Sequence, residues 1–349
     1  MKTKTLFLAS QLEGHGGIQR FNKNIIKSLE NDTIDLDILS LNDKSDKKII
    51  GFNKSRFKLI LHLFKIIIFS RYDVFIIGHL NFAIFSIFKL FKPKMCIITI
   101  IHGVEAWKEN KKHSYFYKKI DFFWAVSSYT KNTFSKLNTI PQQKMKQIFN
   151  TIPLQWSNNS IETKMDNYFF TVTRLDKNEK YKGIDKTLEA IKNLKEFLIN
   201  ENFTFLAVLS GNDKERHENL ISEYGIESLV KFKSNIDDST LLNYYKNCSF
   251  FILPSDGEGF GIVFLEAMQL KKACIGSINC GTEDVIDDNI TGYLIEPTVA
   301  NIQEKIKTLI KDKNLCKEMG EKGYNKLHRE FIFNKFEERI NKLTTECAG

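Results

Sequence analysis

Residues 253–268 read LPSDGEGFGIVFLEAM. A buried strand ends at Pro254, a loop delivers Glu258, and Gly259, Phe260 and Gly261 open a helix that carries Glu266 in its first turns. The unpaired N–H groups at such a helix start, with the positive end of its dipole, favour an anion such as a phosphate. Glycines let that ligand approach the backbone closely. Two carboxylates beside a phosphate are repulsive unless they accept hydrogen bonds from hydroxyls, which a sugar and a ribose both offer. A strand, a ligand loop and a helix in that order define one unit of a parallel α/β sheet.

The same alternation extends in both directions. Downstream lies ACIGS (273–277); upstream lie FFILPS (250–255), LVKFKSN (229–235), FTFLAVLSG (203–211) and NYFFTVTRL (167–175), separated by helical segments such as IDKTLEAIKNLKEFL. The pattern breaks at NTIPLQWSNNSIETKMDN (150–167), a polar stretch with no apolar period. Before it, TLFLA (5–9), IDLDILSL (34–41), DVFIIGH (73–79), MCIITIIH (95–102) and DFFWAVSS (121–128) read as strands, and NFAIFSIFKLFK reads as a helix packed on one of them. Two doubly wound domains follow, residues 1–160 and 161–333. The C-terminal amphipathic helix, about 334–349, either caps the second domain or packs back on the first.

At 349 residues, 42% hydrophobic and 27% charged, the chain is long enough for two cores, which excludes disorder and a small disulfide-stapled fold. Its six cysteines form no C-x-x-C pair, so neither a zinc knuckle nor a thioredoxin-type redox motif is written here, and a reducing cytosol suits them. The N-terminal apolar run is too short for a signal peptide. Residues 57–69 and 74–91 are greasy but interrupted by Lys58, His62, Lys65, Gly78, His79 and Asn81, too often for a membrane span. Charge divides unevenly: residues 1–160 hold 25 Lys+Arg against 11 Asp+Glu, a net of +14, and the remainder is −5. A basic first half suits an anionic partner or reflects a lysine-rich composition.

Three further places lie at strand exits. In TRLDKNEKYKG (173–183) Arg174 ends a strand and Lys182 precedes a glycine and a helix, so a guanidinium and an ammonium stand where a diphosphate could be neutralised without metal; Lys177 and Lys180 are alternative cations. In QLEGHGGIQR (11–20), Gly16 and Gly17 lead into a helix, but Gln19 replaces the third glycine of a dinucleotide fingerprint. In IIHGVEAW (100–107), His102 follows an apolar strand at the ligand end of the sheet. The pair Asp35 and Asp37 has D-x-D spacing but sits inside an alternating strand, not in a loop, which disfavours a metal role.

These places together resemble the retaining nucleotide-sugar glycosyltransferases of the GT-B fold, specifically glycosyltransferase family 4, over nearly the whole chain. AVSSYT (125–130) and CGTEDVIDDNITGYLIEP (280–297) add to the likeness, and the glutamate pair with seven residues between is its most specific part. The resemblance implies two Rossmann-like domains facing each other across a cleft. It implies that Glu258 contacts the transferred sugar, Glu266 the ribose, and Arg174 and Lys182 the diphosphate, with His102 near the sugar. Gly16, Gly17, Gly259, Phe260 and Gly261 complete the donor site, and His102 and Glu258 are the catalytic candidates.

The implied reaction is metal-independent and needs no cofactor. It moves a sugar from a nucleoside diphosphate, UDP favoured over GDP, to a glycan or a polyprenyl or other lipid-linked acceptor in bacterial capsule or lipopolysaccharide synthesis. The location expected is cytoplasmic, peripheral on an anionic inner membrane face. One departure is Cys280-Gly281-Thr282-Glu283-Asp284, where the family usually has two glycines and then a glutamate. The alternatives are an NAD-dependent oxidoreductase, against which Gln19 counts, and a catalytically silent sugar-nucleotide binder. Nucleic acid is not an expected partner, since neither a recognition helix nor an aromatic-basic sheet motif is present.

Overall fold

The computed structural model describes residues 2–14, 16–152, 163–177 and 180–348. Most of the expected linker, 153–162, lies outside them. The chain divides into unit 1, Met1–Pro153 with Phe333–Gly349, and unit 2, Leu154–Ile332.

Unit 1 is a parallel sheet of β1 (Thr3–Ala9), β2 (Ile34–Ser40), β3 (Ile49–Gly51), β4 (Val74–Ile77), β5 (Cys96–Ile101), β6 (Phe122–Ala125) and β7 (Met145–Gln147), in the order β3-β2-β1-β4-β5-β6-β7. The central strands are largely apolar because both faces are covered: Leu6, Phe7 and Leu8 of β1 and the whole of β4 are inaccessible. The main helices are α1 (Gly17–Leu29), α2 (Arg56–Phe69), α3 (Ser114–Tyr117) and α4 (Ser128–Asn138). In α1, Phe21, Ile25 and Leu29 recur at helical spacing and are buried. The C-terminal helix Phe333–Ala348 packs on α1, with the rings of Phe21 and Phe336 edge to face at 5.7 Å and Asn31 Nδ2 donating to Asn341 Oδ1 at 3.0 Å.

Unit 2 is built from β8 (Tyr168–Leu175), β9 (Thr204–Gly211), β10 (Val230–Lys233), β11 (Phe250–Ile252), β12 (Ala273–Ser277) and β13 (Gly292–Ile295), all parallel, in the order β10-β9-β8-β11-β12-β13. Its six strands thus repeat the Rossmann order of the first six strands of unit 1. Phe169 of β8 stacks on Phe205 of β9 at 5.0 Å and on Phe250 of β11 at 5.4 Å, which packs the centre of this sheet with aromatic rings.

Three expectations need correction. NFAIFSIFKLFK is not an α-helix: Leu80–Leu90 winds as successive 3-10 turns, whose three-residue period buries Leu80, Ala83 and Ser86 on one line. β3, β7 and β13 had no strand reading, being three or four residues long at sheet edges, too short to show a period. The cysteines are not all free: Cys96 of β5 is disulfide-bonded to Cys347 of the C-terminal helix, 251 positions away, because that helix returns to unit 1. Cys248, Cys274, Cys280 and Cys316 are buried free thiols. Among the described residues no helix is long and apolar enough to cross a membrane.

Candidate functional site

In a sheet of this order the chain turns opposite ways from the two central strands, leaving a crevice beyond their C-terminal ends. In unit 2 those strands are β8 and β11, and the residues expected to bind a donor leave from them. Arg174 is the penultimate residue of β8, exposed, in register with Ser210 of β9. A 3-10 turn, Lys180–Lys182, then leads to Gly183 and the helix Ile184–Asn193.

Gly183 is required in two ways. Its φ of 76° is left-handed, and a Cβ there would stand 2.1 Å from the carbonyl oxygen of Pro254. The turn can therefore lie directly on the exit of β11, where Asp256 N and Ser255 Oγ both donate to Tyr181 O, at 2.7 and 3.0 Å. This seating delivers Lys182, whose Nζ donates to Glu258 Oε2 at 2.9 Å. Both side chains are over four-fifths buried, so water screens the pair less than it would at an open surface.

The Glu258 loop is held from the other side as well. Gly281 N donates to Glu258 O at 2.7 Å, and a Cβ on Gly281 would lie 2.0 Å from Gly259 O, so the loop after β12 sits against the Glu258–Phe260 backbone. This gives the departing Cys280-Gly281 segment a structural task that its sequence did not disclose. Gly261, with φ 92°, starts the helix Ile262–Gln269. Phe260 is buried with its ring edge-on to Phe331 at 5.8 Å, so it offers a ligand its backbone rather than its ring.

Glu266 is only 1% exposed, and its Oε2 accepts from the Tyr245 hydroxyl at 2.9 Å. Tyr245, from helix Asp238–Asn247, is fully buried with its ring stacked on Phe251 at 5.5 Å. Sequence reasoning missed it, because a buried tyrosine in LLNYYKN reads only as core. Also missed was a charged cluster beside Lys182. Arg216 grips both carboxylate oxygens of Asp185 at 2.9 Å and donates through Nε to Asp213 at 2.8 Å, while His217 Nε2 lies 2.7 Å from Asp185. Burial opposes ionisation of Asp185, but hydrogen bonds from His217 and Arg216 outweigh it and hold the carboxyl well below its usual range.

The remaining expected positions belong to unit 1. Gly16 is the extended residue before α1, and its carbonyl accepts from Arg20 N at 3.0 Å. His102, just past β5, is buried; its Nε2 donates to Gly78 O at 2.9 Å, which leaves Nδ1 as the acceptor. Burial pushes this imidazole down to about 4, so it is neutral at physiological pH. Asp37 of the D-x-D pair accepts from the Tyr72 hydroxyl at 2.7 Å within the β2 surface.

Unit 2 is thus a parallel α/β unit with a lysine–glutamate pair at its switch point, where sheets of this order bind ligands. Residues 155–326, essentially unit 2, match the family model described as Glycosyl transferases group 1. The chain is 27% identical to an uncharacterised glycosyltransferase of Methanocaldococcus jannaschii over 95% of each protein. It is 26% identical to the capsular polysaccharide biosynthesis glycosyltransferase CapM of Staphylococcus aureus, over 56% of this chain and 53% of CapM. Among solved structures, HepE of Anabaena in complex with UDP and glucose superposes with a TM-score of 0.77 over 99% of this chain and all of that one, at 15% identity. The fold is GT-B, and together these findings support a glycosyltransferase, with the match to the Glycosyl transferases group 1 model lying in unit 2.

Proposed function

We propose that the chain is a retaining, metal-independent glycosyltransferase that moves a sugar from a nucleoside diphosphate, UDP favoured, to a glycan or lipid-linked acceptor of a bacterial surface polysaccharide. The observation that carries the donor part is the Lys182–Glu258 pair at 2.9 Å beyond β8 and β11. It juxtaposes a cation for phosphate oxygens with an acceptor for sugar hydroxyls at the switch point of the sheet. Arg174, from the adjoining strand exit, and the start of helix Ile262–Gln269 add positive character on the same side of the sequence motif.

In this reading the anomeric C–O bond breaks with its electron pair passing to the diphosphate, an acceptor hydroxyl oxygen bonds to the same face of the anomeric carbon, and the hydroxyl proton passes to the departing diphosphate oxygen. Arg174 and Lys182 take up the charge that develops on the leaving group, an electrostatic contribution that requires no metal ion. Glu258 orients the sugar through its hydroxyls, and buried Glu266, aligned by Tyr245, receives the ribose. The polysaccharide acceptor is supported by the likeness to CapM and the UDP donor by the likeness to HepE.

The test is calorimetric titration with UDP-, GDP- and ADP-sugars. Mass spectrometry then follows donor turnover with and without EDTA, and NMR of the product gives its anomeric configuration. Tight UDP binding, turnover in EDTA and an unchanged anomer are expected. An inverted anomer overturns retention, and loss in EDTA with rescue by manganese overturns metal independence. Binding without turnover across a panel of glycan acceptors makes the chain a silent sugar-nucleotide binder.

A further inference from the structure

Helix α2 has two apolar faces, and the fold uses one. Leu59, Leu63 and Ile67, four residues apart, are buried on the sheet. Phe57, Leu61, Phe64 and Ile68 recur at intervals of four, three and four, which at about 100° per residue keeps them in a single stripe. That stripe faces outward: Phe57 is 71% exposed and Leu61 55%. The stripe continues onto the 3-10 segment, since the rings of Phe64 and Phe88 meet at 5.0 Å and Lys92 Nζ donates to Ile68 O at 3.2 Å, which brings exposed Leu90 and Phe91 alongside. Of sixteen large apolar side chains exposed among the described residues, nine lie between 57 and 91 and three lie in unit 2. Exposed apolar surface concentrated in this way marks an interaction site.

Charge identifies the partner. Residues 47–72 hold seven lysines and arginines and no acidic residue. Lys58 and Lys65 each follow a residue of the stripe by one position, so they flank it, and among the described residues no carboxylate pairs with Lys54, Arg56, Lys58 or Lys65. We infer that α2 and the segment around Phe91 dock on an anionic phospholipid surface, the stripe entering the acyl boundary and the basic flank meeting the headgroups. A second copy of the chain is a poor occupant, because two such faces bring like charges together. With 14 residues, about 21 Å long, α2 lies along the surface and does not span it. This specifies the membrane contact of a lipid-linked acceptor reading but uses no residue of the donor site, so it stands or falls separately.

The experiment is co-sedimentation of the full chain with phosphatidylcholine vesicles, with and without phosphatidylglycerol, at low and high salt. Wild type pellets with phosphatidylglycerol vesicles at low salt and is released by high salt. Lys58→Gln with Lys65→Gln weakens partitioning about thirtyfold, from ~1 kcal/mol per basic residue at the surface. Phe57→Gln with Leu61→Gln weakens it at least tenfold, with an unchanged melting temperature showing that the fold is intact. No pelleting at low salt, equal pelleting on neutral vesicles, or either double variant pelleting like wild type overturns the inference. A concentration-dependent dimer that Phe57→Gln with Leu61→Gln abolishes reassigns the face to self-association. UDP affinity measured without vesicles reports the donor site independently of all these outcomes.

Discussion

Units 1 and 2 repeat one strand order but equip their switch points differently. Beyond β8 and β11 the chain holds Lys182 against Glu258, with left-handed Gly183 and Gly261 allowing loops to touch. Beyond β1 and β4, and the adjoining β5, it holds the Gly16–Gly17 turn, Gly78 and His102, a buried neutral imidazole hydrogen-bonded to the Gly78 carbonyl. At the unit 2 exits a cation meets a carboxylate, whereas at the unit 1 exits the Glu105 carboxylate accepts from the His102 backbone N–H at 2.6 Å. The outer surfaces differ too, with the exposed apolar stripe and excess positive charge belonging to unit 1. Topology therefore sets where a ligand can sit, and loop side chains set which ligand it is.

The strongest way to break this contrast is through Glu258. Glu258→Gln should lower donor turnover about a hundred- to a thousandfold, as expected when a group acting mainly in the transition state is lost, while UDP affinity is retained. Steady-state turnover with calorimetry checks both parts, and a wild-type rate would remove the catalytic role from unit 2's pair.

Next in size is the packing of the loops. Gly183→Ala forces a side chain into a left-handed backbone and 2.1 Å from a carbonyl, and should destabilise unit 2 by about 4 kcal/mol. Gly78→Ala in unit 1 meets Leu8 O at 2.9 Å without the left-handed strain and should cost about 1–2 kcal/mol. Urea denaturation of the two variants sharpens the comparison if the order holds and breaks it if the two are equal.

Acid separates the units by a different route. His102 is held neutral at about 4 in the folded chain, below the ordinary imidazole value near 6.5. A lowered folded value means stability that is complete above about pH 6.5 and is lost as pH falls toward 4, amounting to about 3 kcal/mol. His102→Asn should flatten that dependence, followed through the fluorescence of Trp124, which is buried in β6 of unit 1. A variant with the wild-type pH profile would show that the imidazole is not the responsible group. An effect as small as that of Gly78→Ala is expected of Tyr245→Phe, about 1.5 kcal/mol from the hydrogen bond to Glu266, measured as a shift in the urea midpoint of unit 2.

Much of the fold was legible because its signals are local. Strands such as FFILPS and FTFLAVLSG are short apolar runs between turn residues, and α1 shows its buried stripe by spacing alone. Edge strands of three residues carry too few positions for a period, and the Leu80–Leu90 segment has apolar residues on all sides, which hides the difference between a 3-10 and an α-helical winding. Of the candidate site, the residue types and their strand-exit positions were readable around Glu258 and Lys182. The partners Tyr245, Gly281 and Arg216 were not, since each comes from a different crossover.

Taken alone, the sequence determined the alternation of strands and helices, the glycines that open the helices, and the excess of basic residues in the first half, all properties of neighbouring residues. The tertiary structure alone decided that Lys182 meets Glu258 across 76 positions, that Tyr245 meets Glu266, that Cys96 meets Cys347, and that one apolar face of α2 is left outside. These depend on which strands become neighbours and which face of each helix they cover. That choice minimises exposed apolar area and unpaired backbone over each whole unit, and no local window contains the competing arrangements.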